Sequence, residues 1–267
     1  KNFMWTTNFN FAYNNNKVLK EALREDALEP GREGYPVGAL FALKTAGLDE
    51  EGYPMFQDKD GKAVSAMEFF KLQEWGFGAT DLTARERREL YTYVGTADCP
   101  YTGGFNNTFT YKAFELGVNF SFDFGGKVRS QPTYSIVDFD KGRNTNRDIL
   151  NRWTPENTET IFPVLLSQNE RLDEYMWYSN QNEIYRNLDI WIRDLNYVRL
   201  QNIRLGYTLP TNFSRTLGMT SATVAIEGRN LLVFGSSYKN YLDPETMSNA
   251  YATPAPKSVT LSLNLIF

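Results

Sequence analysis

The chain has 267 residues, 42% hydrophobic, 15% aromatic and 22% charged, with one cysteine, no histidine and a net charge of −4. The missing histidine excludes a Ser-His-Asp triad, a histidine base and histidine-ligated zinc, and the single Cys99 excludes an internal disulfide framework and a cysteine-cluster metal site. The acidic balance argues against a nucleic-acid footprint, and no run approaches the roughly 20 apolar residues of a transmembrane helix.

The start of the chain, Lys1-Asn2-Phe3-Met4-Trp5, has no basic region followed by an apolar core, so no signal peptide is expected here. Period-two alternation begins at once. Phe3, Trp5, Phe9, Phe11 and Tyr13 share one face, and Thr6, Asn8, Asn10 and Ala12 the other, which predicts a strand. A second run follows at Tyr35, Val37, Ala39, Phe41 and Leu43. Asp58-Lys59-Asp60-Gly61 reads as a turn. Residues 63–74 read as a short amphipathic helix with Ser65 as its cap, and Thr83-Ala84-Arg85-Glu86 is a capping-box pattern opening another.

Phe105, Asn107, Phe109 and Tyr111 form the third row. After Lys112-Ala113, nearly a direct hairpin turn, comes the clearest one: Phe114, Leu116, Val118, Phe120, Phe122 and Phe124. Residues 148–153 suggest a turn of helix ended by Pro155. Ile203, Leu205, Tyr207 and Leu209 make the fifth row, with Val198 and Leu200 upstream out of phase. A one-residue bulge near residues 200–202 would produce this, as would a strand rising out of a buried zone. Val224 and Ile226 mark the sixth strand, and Val259, Leu261, Leu263, Leu265 and Phe267 the seventh.

Short and long connections alternate, with residues 47–104, 125–196 and 235–256 forming the long ones. Structureless loops of such length are uncommon in compact soluble domains, whereas an outer-membrane barrel has short periplasmic turns and long extracellular loops. A soluble sandwich predicts the same alternation but not this loop pattern. About seven strands fall short of the smallest bacterial barrel, and an open sheet leaves unpaired edges in lipid. The expectation is therefore an all-β, antiparallel transmembrane barrel of which this chain is the C-terminal part.

Candidate chemistry is sparse. Asp138-x-Asp140-x-Gly142-x-Asn144 has a calcium-loop spacing, but Ile149 stands where the bidentate acid belongs, so no metal is expected. Glu115, Asp123 and Glu227 fall on polar strand faces and read as a solvated lumen wall. Gly103-Gly104 and Gly125-Gly126 flank strands rather than opening helices, so neither is a phosphate cradle. The loop aromatics Trp153, Tyr175, Trp177, Tyr178, Trp191 and Tyr238 either stack on sugar or peptide groups and contact a partner, or form small cores within the loops. No catalytic residue and no cofactor are expected.

Tyr197-x-Arg199-Leu200-x-Asn202-Ile203-x-Leu205-Gly206-Tyr207-x-Leu209-Pro210 resembles a late barrel motif of the SusC/RagA-type TonB-dependent outer-membrane receptors. Glu227-Gly228-Arg229-Asn230-Leu231-Leu232, then Tyr241-Leu242-Asp243-Pro244-Glu245, resemble it too. Gly34-Tyr35-Pro36-Val37-Gly38 leading to Ala46-Gly47-Leu48-Asp49, and Arg152-Trp153-Thr154-Pro155-Glu156-Asn157, are similar to earlier family segments. Val259, Leu261, Leu263, Leu265 and Phe267 resemble the C-terminal signal read by the outer-membrane assembly machinery. The resemblance implies a 22-stranded barrel with an N-terminal plug, energised through TonB, capped by a SusD-like surface lipoprotein and importing oligosaccharides or peptides. Plug, TonB-box and earlier strands are not in this chain. A soluble all-β glycan-binding or glycan-cleaving module, and a structural barrel without transport, are the alternatives.

Overall fold

The computed structural model describes residues 2–130, 142, 147–165, 186–235, 243–246 and 252–267. In chain order they form β1 (Phe3–Tyr13), β2 (Ala39–Leu43), β3 (Thr45–Leu48), β4 (Pro54–Gln57), β5 (Ala63–Val64), α1 (Ala66–Phe69), α2 (Ala84–Glu89), β6 (Tyr91–Thr96), β7 (Tyr101–Tyr111), β8 (Phe114–Arg129), β9 (Ile192–Thr208), α3 (Thr211–Thr216), β10 (Ser221–Phe234) and β11 (Ser258–Ile266). Among the described residues no helix is long and apolar enough to cross a membrane, which says nothing of a β-barrel. The chain divides into two units. One comprises Lys1–Asn15, Asp98–Val128 and Asp194–Phe267, and the other Asn16–Ala97 and Arg129–Arg193.

The first unit is one open six-stranded sheet in the order β1-β7-β8-β9-β10-β11. The register sets like against like. Phe9 faces Phe105, which faces Phe120, while Asn8 faces Asn106, which faces Asn119. On the far side Leu205 pairs with Ile226 and Ile226 with Leu261. One surface is thus largely apolar, interrupted by the Thr7–Asn107 pair, and the other polar, as period two across aligned strands requires. The apolar surface is uncovered: Phe9 is 64% exposed, Leu261 75% and Phe267 82%.

The two-residue turn Lys112-Ala113 closes the β7–β8 hairpin, with Lys112 at φ 53°, the positive φ that the tight primed turns matching strand twist demand. The other short connection, residues 209–220, emerges at the same end, where Ser221 pairs with Ile266. All three long connections, residues 14–100, 130–191 and 235–257, leave from the opposite end.

The alternating run from Tyr35 to Leu43 departs from expectation. Only Ala39–Leu43 is extended, and it pairs with β6 in the second unit, so six of the seven expected strands form the wall. Pro36 removes a ladder donor and its carbonyl instead accepts from the Ala39 N–H at 3.0 Å, in a turn. The helix expected over residues 63–74 shrinks to α1. Ser65 caps it as read, Ala63–Val64 is extended, and Lys71 at φ 47° stops continuation. Asp58 closes its turn as read, its Oδ1 accepting from the Lys62 N–H at 2.7 Å.

The second unit is built on its own core. Phe56, Phe69 and Phe70 pack at centroid distances of 4.8 to 5.0 Å, and Leu43, Val64, Leu188 and Trp191 join them. The short sheet β3-β4-β5, whose strands are too short to show a period, carries part of this core.

Candidate functional site

The polar surface of the six-stranded sheet carries a ladder of side-chain bonds. Arg204 Nη1 donates to Glu115 Oε1 at 2.9 Å, Asn202 Nδ2 to Glu227 Oε1 at 2.6 Å, and Gln201 Nε2 to Ser121 Oγ at 2.7 Å. Two consecutive residues, Gln201 and Asn202, thus bond polar-face partners. This is the phase change read from Val198 and Leu200, and opposite it the β9–β10 register shifts between Arg229 and Leu232, with Asn230 at φ 52°. After the shift Tyr197 and Arg199 take the polar side. The register gives β10 two residues, Asn230 and Leu231, where β9 has Gln201 alone, so the extra residue lies in β10 beside the point where β9 changes phase.

That shift builds a cluster at the end of β9 from which the long connections leave. The Tyr197 hydroxyl lies 2.5 Å from Asp123 Oδ2 and 3.1 Å from Glu245 Oε1. Arg199 Nε donates to Glu245 Oε1 at 2.9 Å, and Nη2 pairs with Asp243 Oδ1. Arg199 is 1% exposed. A guanidinium so buried is tolerable because its fork reaches two carboxylates at once. Asp123 was read as lumen wall; the sequence offered no sign that it and the Asp243-Pro244-Glu245 segment meet on Tyr197.

The loop aromatics separate. Trp191 is 1% exposed, 5.8 Å from the Phe162 ring, inside the core of the second unit. It therefore belongs to the mini-core reading, since a ring with no free face cannot stack on a ligand. Trp153 is half-buried over Gly52, where a Cβ would come within 2.4 Å of the indole and where φ is 85°. Tyr175, Trp177, Tyr178 and Tyr238 lie outside the described residues, as do Tyr241-Leu242 and, apart from Gly142, the Asp138–Asn144 segment. Gly103-Gly104 sits inside β7 rather than beside it. No group of acidic, cysteine or histidine side chains fit to hold a metal occurs among the described residues.

The tip after α1 matches no motif in the sequence, yet presents two aromatic side chains. Trp75 and Phe77 are 74% and 65% exposed, at φ 58° and 51°. Cross-tip bonds hold them there, with the Gln73 N–H donating to the Ala79 carbonyl at 2.9 Å and the Gly76 N–H to the Gln73 carbonyl at 3.0 Å. The left-handed region is costly for such side chains and persists only where the surroundings impose it. The Gly76 and Gly78 flanking Phe77 were the available signal.

No family model matches the chain. It is 26% identical to the TonB-dependent receptor P3 of Formosa agariphila over 100% of its own length and 27% of the relative, and 24% identical to the TonB-dependent receptor P39 of the same organism over 91% and 26%. The chain spans about a quarter of the length of these curated relatives. Two solved structures share its fold. The RagAB peptide transporter is 22% identical with a TM-score of 0.67, covering 99% of this chain and 27% of that one. The RagAB peptide importer in the open-open state is 22% identical with a TM-score of 0.68, covering 100% and 27%. The relatives are receptors rather than enzymes. The chain is thus similar in sequence to the C-terminal portion of TonB-dependent receptors, and its wall, apolar on one face and polar on the other, has the fold of the matching part of the RagAB structures, an antiparallel β-barrel segment.

Proposed function

We propose that residues 1–267 form the C-terminal wall of an outer-membrane active transporter that imports oligosaccharides or peptides, energised through TonB and capped by a SusD-like surface lipoprotein. One observation carries this reading: an uncovered apolar face of aligned rows backs onto a polar face bonded across its strands, with all long connections at one end. Lipid solvates the first face and water the second. Both sheet edges, β1 and β11, pair with the remaining strands of the barrel, since open edges leave backbone groups unsatisfied in hydrocarbon. Val259, Leu261, Leu263, Leu265 and Phe267 present the assembly signal, and the long connections carry the lipoprotein and ligand contacts, Trp153 among them. A soluble glycan module would need a second sheet to cover the apolar face.

The test places single spin labels in the complete receptor in lipid at Phe9, Phe120 and Leu261, and at Asn119, Ser121 and Thr260. The first set is expected to collide with oxygen and the second with a water-soluble nickel chelate. Equal behaviour of both sets would overturn the reading in favour of the soluble module.

A further inference from the structure

We infer that Arg199 is a positioning residue that docks the turn at residues 243–246 onto the polar face of β9, and so fixes the connection between β10 and β11 at a point between its ends. The connection leaves β10 at Phe234 and returns at Ser258, and its base is set where Arg229 pairs with Ser258. The turn arrives preformed. Asp243 Oδ1 accepts the Glu245 N–H at 3.0 Å, and its carbonyl accepts the Thr246 N–H at 2.9 Å. Arg199 then spans both acids of this turn, one with Nη2 and one with Nε. Tyr197 adds its hydroxyl to the same Glu245 oxygen, and the guanidinium carbon lies 5.8 Å from the Tyr197 ring centroid.

Two sequence motifs separated by the whole of β10 are thus one device. The phase shift in β9 is what turns Tyr197 and Arg199 onto the face the turn approaches. A contact at this point fixes the chain between β10 and β11 at one position besides its two ends. A lysine would keep the charge but offers a point donor in place of the fork, and would hold one acid rather than two. The tether goes beyond the transport reading and does not depend on the substrate.

The test uses the complete receptor in lipid, with spin labels at Thr246 and Ser121 and the distance between them read by pulsed resonance. The native chain is expected to give one narrow distance. Arg199→Lys, and separately Asp243→Asn with Glu245→Gln, are expected to broaden it and to speed protease cleavage within residues 235–257 by about tenfold or more, with the heat-resistant folded barrel band retained. Arg199→Glu combined with Asp243→Arg is expected to restore part of the narrow distance. A narrow, unchanged distance in the carboxylate variant would overturn the inference; that variant leaves β9 intact, so its result stands even where an Arg199 variant fails to assemble. Equal exposure of both label sets in the experiment above would instead strike the barrel reading alone.

Discussion

The indole Nε1 of Trp5 donates to Oδ1 of Asn107 at 3.1 Å across the β1–β7 pair. Asn107 stands in the apolar row between Phe105 and Phe109, yet is only 6% exposed. A side-chain amide on a face assigned to lipid is affordable when its oxygen is paired and covered, and here Trp5 does both. Trp5→Phe keeps the ring and removes the donor. It is expected to lower stability in lipid by about 1–3 kcal/mol, measured as the urea midpoint of the heat-resistant band. Asn107→Val in the same background is expected to recover most of the loss, because no unpaired amide then remains.

Gly103 permits the close approach of β1, β7 and β8. A Cβ there would lie 2.3 Å from the Asn10 carbonyl oxygen and 2.5 Å from the Phe122 ring. Backbone cannot give way, so Gly103→Ala is expected to reduce the folded fraction sharply on refolding into vesicles. Gly117→Ala, with nothing within 4 Å of the new carbon, is expected to refold as the native chain does. Equal yields from the two would show that strand propensity, not the close approach, governs these positions.

The capping box of α2 makes a pH-dependent local structure. The Thr83 backbone N–H, then its hydroxyl, hold the Glu86 carboxyl below the ordinary glutamate value of 4.5. A group depressed in the folded state contributes stability above its unfolded value and loses it as pH falls through the folded one. Amide exchange in α2, corrected for intrinsic rates, is therefore expected to accelerate as pH falls below 4.5. Glu86→Gln should show the weaker protection at every pH and no such step.

Trp75 tests the strained tip. Trp75→Gly relieves a left-handed residue at φ 58° while removing a side chain that is 74% exposed. Thermal stability of the complete receptor is expected to hold or rise, by up to about 1 kcal/mol. Trp75→Ala, which keeps the strain, is expected to show no gain.

Much of the wall was legible because a strand with two different surroundings writes its period directly into the chain. Phe114 to Phe124 needed no partner to be read. The Ser65 cap and the Thr83 box were equally local, each satisfied within one turn of chain. What misled was the same period out of context. Tyr35 to Leu43 alternates as the wall strands do, but its pairing with Tyr91–Thr96 lies in the other unit, and no residue in the run itself records its partner. Trp191 looked like its fellow loop aromatics, and only the packing of Phe56, Leu43 and Leu188 in the same core took its surface away.

The sequence by itself determined which residues of most wall strands share a face, since alternation is a property of one strand. It also determined where the short turns and helix caps fall. Tertiary structure alone decided the register that aligns Phe9 with Phe105 and Phe120, the bulge opposite Gln201 that accompanies the phase change, and the meeting of Arg199 with Asp243 and Glu245. The reason is physical: an ion pair joining positions so far apart exists only once the strands between them have paired, so neither segment carries a local trace of the other.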